Sequence, residues 1–180
     1  MAATLRIRDR GRGVTPADVS EIQDALTQAL LMAEAATAQM AGIWDQPGRV
    51  RRRRRRREDA WARHALFVRW FGTSTRPLLI RRLRRRMEKI RTWLDTGRIV
   101  VLAHDDGDRL CEGANAFATV PRRPIKVHLC QSWFALSPTR QAAVVIHELV
   151  HELGFAHPSG ATSPAAARAV AAAVSRRARR

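Results

Sequence analysis

Tyrosine occurs nowhere in the chain, so no phenol can donate a hydrogen bond to a developing oxyanion. Lysine is nearly missing too: Lys89 and Lys126 stand alone, and arginine carries almost all the positive charge. The two cysteines, Cys111 and Cys130, allow one disulfide at most. Long apolar runs are also lacking. ALLMAEAATAQMAGIW and SPAAARAVAAAVS are too short or too interrupted to span a bilayer, so no transmembrane segment is expected. The first residues, MAATLRIRDRGRGV, carry arginines with no apolar run behind them and do not read as a secretory leader. The expected compartment is therefore the cytoplasm, where the cysteines stay as thiols; leaderless export as an effector also fits. No methionine follows Met87, and no Asp or Glu follows Glu152.

What is present points to one domain. A chain of 180 residues, 46% hydrophobic, can bury a real core, although alanine supplies much of it. The balance of 33 Lys+Arg against 16 Asp+Glu gives a net charge of +17. Such a surplus favours phosphates, anionic lipid or acidic peptides as partners. A codon bias toward alanine and arginine accounts for it equally well.

Along the chain, residues 1–14 read as a basic flexible arm. Thr15-Pro16-Ala17-Asp18 is a helix start, with a cap residue, a proline at the first position and an acid at the third. Val19, Ile22, Leu26, Ala29, Ala33 and Met40 follow at three- and four-residue steps, predicting a long helix to about Gly42. The unbroken run Arg51–Arg57 repels itself and reads as a solvated linker over 49–57; its functional alternative is a polyanion contact. A second helix is predicted after Pro77, with Ile80, Leu83, Met87, Ile90 and Leu94 on one face and arginines on the other. RIVVLAH (98–104) and PIKVHLC (124–130) are short β-branched runs and read as strands. The loop between them, with Asp105, Asp106 and Asp108, lacks EF-hand spacing and reads as a solvated turn. Ser137-Pro138 opens a third helix that runs to Gly154, and residues 158–180 form an Ala/Arg-rich tail.

That third helix carries the chemistry, in the phrase HELVHELGFAH (147–157). His147 and His151 are four apart, so they share a helix face about 6 Å apart and can reach one tetrahedral Zn2+. Glu148, one step round, can take a proton from a metal-activated water and return it to a leaving nitrogen. Val144, Val145, Ile146, Leu149, Val150 and Leu153 surround the pair with apolar side chains. His157 follows Gly154 by three, the third-ligand spacing of one H-E-x-x-H class. It reads either as the third ligand or as an exposed histidine before a Pro-Ser-Gly turn.

Several segments taken in order resemble the aspzincin metalloendopeptidases, the deuterolysin and peptidyl-lysine endopeptidase group, and their bacterial relatives most. They are an alanine-rich first helix, RWFGT (69–73), Trp93-Leu94 closing a helix, a strand over 99–103, Cys111, AFATV, PIKVHLCQSWF (124–134) and VVIHELVHELG. The similarity spans roughly residues 15–155. It implies an α+β, zincin-like domain over 15–157, mainly helical with a small β-sheet and an active-site HExxH helix, that cleaves polypeptides. It also implies metal ligands at His147 and His151, a general base at Glu148, and a Cys111–Cys130 pair in an oxidising setting. The family takes its third ligand from an aspartate in a Gly-Thr-x-Asp-x-x-Tyr-type segment, with the tyrosine near the oxyanion. This chain has neither. Either His157 substitutes, or that segment is missing from the chain, or the enzyme is dead; His128 and nearby arginines are candidate oxyanion stand-ins. A contrasting expectation is a non-catalytic, Arg-rich nucleic-acid binder with a degenerate zinc site.

Overall fold

Thr15, Pro16 and Asp18 set the start of the longest helix, α1 (Pro16–Trp44). The Thr15 hydroxyl accepts from the Asp18 amide at 3.2 Å, and the Asp18 carboxylate accepts from the Thr15 amide at 2.8 Å. This reciprocal box satisfies two of the N–H groups that a helix start leaves without partners. The computed structural model describes residues 6–64, 77–105, 107–112, 114–118 and 125–153, with backbone alone for 77–80. Among these, the remaining helices are α2 (Val50–Ala62), α3 (Pro77–Asp95), the short α4 (Gln131–Phe134) and α5 (Pro138–His151). The strands are β1 (Arg6–Arg10), β2 (Ile99–His104), β3 (Ala116–Ala118) and β4 (Ile125–Leu129). The chain is α+β with a small mixed sheet. No helix among the described residues is long and apolar enough to cross a membrane. RWFGT, His157 and the tail at 158–180 lie outside the described residues.

The sheet order is β1-β2-β4-β3, with β3 the antiparallel member. β2 is central between two parallel neighbours and buried along its whole length, which is why it reads as an unbroken apolar run. Alternation then sorts the side chains. Ile99, Val101, Ile125, Val127 and Leu129 join one core with Ile22, Ala29 and Met32 of α1, Ile90 of α3 and Val145, Ile146 and Leu149 of α5. Val100, Leu102, His104, Lys126 and His128 take the other face of the sheet.

Two expectations about the arginine-rich segments are corrected. Residues 6–10 are not a flexible arm: Arg6 to Arg10 pair in register with Val100 to His104. The open edge of β2 needs partners for its N–H and C=O groups, and β1 supplies them. Asp9 then turns the chain toward α1 by accepting from the amides of Gly11, Gly13 and Val14; both glycines have positive φ.

The arginine run is likewise not a linker but lies inside α2. Arginine is a good helix former, and three members of the run find backbone acceptors. Arg53, Arg56 and Arg57 donate to the carbonyls of Gly48, Pro47 and Trp44, and the Arg57 guanidinium lies 3.7 Å from the Trp44 ring centre. Fully buried Trp61 anchors the far end of the helix.

The start of α5 is locked by a buried glutamine. Gln141 donates to the Glu21 carboxylate of α1 and to the Trp133 carbonyl, and the Trp133 indole donates back to the Gln141 carbonyl at 3.2 Å. Both the Gln141 amide nitrogen and the Trp133 indole thus have acceptors, as burial of such donors requires.

Cys111 and Cys130 are bonded to each other, against the thiols expected for a reducing compartment. The turn after β2 and the hydrogen bond from the Cys130 amide to the Asn115 carbonyl bring their Cα atoms to 5.5 Å. The bridge closes a loop with a sequence separation of 19. Loop-closure entropy gives such a link a worth of about 3 kcal/mol. Urea unfolding with and without dithiothreitol should differ by that amount, while Cys111→Ser/Cys130→Ser should be indifferent to the reductant. Equal curves for the unsubstituted protein would show that the bridge contributes nothing.

Candidate metal centre

Helix α5 begins at Pro138 behind Ser137 and presents Ala142, Val145, Ile146 and Leu149 to the core. That face fixes its rotation about its own axis. His147 and His151 therefore come to one half-buried side, and Glu148 points inward with 7% exposure. The two Nε2 atoms lie 3.0 Å apart with the rings edge-on. One ligand atom from each of His147, Glu148 and His151 falls within 4.8 Å of the others. Such a group can bind a metal: two imidazole nitrogens lie within reach of one ion, and a carboxylate stands beside them.

Glu148 sits under β3. Burial pushes its carboxyl up from 4.5 to about 7, and the amide of Ala118, which hydrogen-bonds to it, opposes part of that rise. The result is a carboxyl that can hold or release a proton near neutrality, the range in which a general base is most useful. Glu152, one turn further on, is also raised by burial, and its Oε1 is buried with no hydrogen-bond partner among the described residues.

Of the residues named from the sequence, His147, Glu148 and His151 are together, and His157 lies outside the described residues. His128, named as an oxyanion stand-in, is on the sheet face turned away from α5, because Val127 and Leu129 take the core face.

What sequence reasoning missed is the company His128 keeps. Its Nδ1 is 2.8 Å from Nε2 of His104, whose Nδ1 is 2.5 Å from Oδ2 of Asp108. Phe117 of β3 stacks on His128 with ring centres 4.2 Å apart. Burial, with His104, Lys126 and Arg10 as like charges, lowers His128 to about 4. Asp108 is held below the usual carboxylate range by the Leu110 amide and then by His104. Asp108 is thus more than part of a solvated turn, while Asp105 is exposed and Asp106 lies outside the described residues. The available signal was period-2 alternation, which puts His104 and His128 on one face of neighbouring strands.

Comparison of the chain with protein-family models, with curated proteins and with solved structures gave no match.

Proposed function

We propose that the protein is a zinc-dependent endopeptidase of zincin-like, aspzincin-related type. The observation that carries this reading is the convergence of His147, Glu148 and His151 on a buried helix. The residues present fit a divalent cation: two imidazole nitrogens 3.0 Å apart, flanked by an inward carboxylate. His147 and His151 would hold it, and paired imidazoles suit zinc. A zinc ion bound there supplies a Lewis acid that polarises the scissile carbonyl and makes water more acidic.

The chain's own residues do the rest. Glu148, beneath β3, takes a proton from the attacking water and passes it to the leaving nitrogen. In the metal-free protein burial raises its carboxyl to about 7; a cation bound beside it opposes that rise and favours the carboxylate that takes the proton. Burial of Glu148 under β3 limits the access of bulk water to it. A general base of this kind is not needed by a purely structural metal site, which favours catalysis over a degenerate one.

Metal analysis of the purified protein tests the proposal, with casein as a general polypeptide substrate. The expected result is about one zinc per chain, little or none in His151→Ala, and casein cleavage that ends on adding a chelator. An unsubstituted protein that takes up no zinc would overturn the reading.

A further inference from the structure

The run Arg51–Arg57 divides into two sets once it is helical. Arg57 donates to the last carbonyl of α1, at Trp44, Arg53 and Arg56 donate to the carbonyls of Gly48 and Pro47 in the turn that joins α1 to α2, and Arg54 pairs with Glu58 at 2.9 Å. Arg51, Arg52 and Arg55 are exposed and make no hydrogen bond or ion pair among the described residues. At 100° per residue these three fall within a 100° arc on the side away from Trp61. Asp59, exposed at the C-terminal end of the same arc, is the one acid there.

Helix α3 repeats the pattern. Leu83, Met87 and Ile90 take its core side, while Arg81, Arg82 and Arg85, again at i, i+1 and i+4, are exposed and make no such bonds. Two helices in contact thus each carry an outward arginine triplet that the fold does not use.

We infer that these triplets, Arg51/Arg52/Arg55 and Arg81/Arg82/Arg85, bind the phosphate backbone of duplex nucleic acid without regard to sequence. Guanidinium forks match phosphate oxygens, and their charge does not titrate away. One helical step of four residues advances about 6 Å, close to two phosphates of a strand at about 3.4 Å each. A membrane surface fits less well. The exposed side of α2 offers one large apolar side chain, Val50, and the small Ala62 to enter a bilayer interface, where amphipathic helices need a full apolar face. This activity is independent of the zinc site and stands or falls without it.

The test is fluorescence anisotropy of the full chain with a labelled 20-base-pair duplex across a potassium chloride series. Each neutralised phosphate contributes roughly 0.9 to the slope of log affinity against log salt. Arg51→Gln/Arg52→Gln/Arg55→Gln should lower that slope by about 3 and leave the melting temperature unchanged. The α3 triplet replaced by glutamine should do the same. Lysine at all these positions should retain the slope. Arg53→Gln/Arg56→Gln should instead lower the melting temperature and retain it. Two outcomes would overturn the inference: outward variants that keep the unsubstituted slope, or anionic phosphatidylglycerol vesicles that bind more tightly than the duplex at equal salt.

Discussion

Glu148→Gln should abolish hydrolysis and, in the metal-free protein, make the fold more stable. Removal of the group that moves the proton is expected to cost on the order of 10²–10⁴ in rate. Zinc content should be preserved, because His147 and His151 are untouched. The stability gain follows from linkage. A carboxyl raised from 4.5 to about 7 in the folded state binds its proton more tightly folded than unfolded. Its contribution is fully favourable below pH 4.5 and is lost as pH rises through about 7. At pH 8 the buried carboxylate therefore costs about 3 kcal/mol, which a neutral glutamine of the same shape does not.

His128 acts in the opposite sense. Lowered from 6.5 to about 4, it makes the fold gain stability as pH climbs through that window. Between pH 4.5 and 6.5 the two groups offset one another. With chelator present, the unsubstituted protein should unfold in urea at nearly constant midpoint over this range. Glu148→Gln should show a rising midpoint instead. Parallel curves for the two proteins would mean that Glu148 is not buried as described.

Zinc should stabilise the fold by about 4 kcal/mol when present at a thousand times its dissociation constant, since the unfolded chain does not gather the two histidines. Differential scanning calorimetry with zinc and with chelator reads this directly. His151→Ala should lose almost the whole zinc-dependent shift while melting near the unsubstituted protein in chelator, because His151 is only half-buried. The shift should also fade on acidification, as the histidines must be neutral to bind. An identical zinc response in His151→Ala would place the metal somewhere other than on α5.

The elements that could be read from the sequence are those whose signals are local. The Thr15 box, the three-four rhythm of α1 and α3, the apolar runs of β2 and β4, and Pro138 at the start of α5 each depend on neighbours within a turn or two. The elements that could not depend on distant partners. RIRDR has a single apolar residue, Ile7, and is a strand because β2 offers it an edge. AFA is too short to show alternation, yet it is the strand whose Ala118 amide reaches Glu148. The arginine run is helical in part because the Trp44 carbonyl ending α1 and the Pro47 and Gly48 carbonyls of the turn after it accept three of its guanidinium groups. In the site, spacing alone brought His147, Glu148 and His151 together on one helix. The Asp108–His104–His128 chain has no local signature because it crosses from one strand to the next.

The pairing of β1 with β2 also bears on the order of assembly. Arg6 opposes Val100, so α1, α2 and α3 all lie within the loop that this one strand pair closes. Closing a loop of that length is entropically expensive before any contact rewards it, and such pairings are slow to form. The helices and the β2–β4 pair can form over shorter spans. A ribosome-bound chain has already released β1 when β2 emerges, but it must keep that segment unpaired meanwhile. Its arginines serve that wait: a strand carrying Arg6, Arg8 and Arg10 resists pairing with a second copy of itself until the apolar edge of β2 is available.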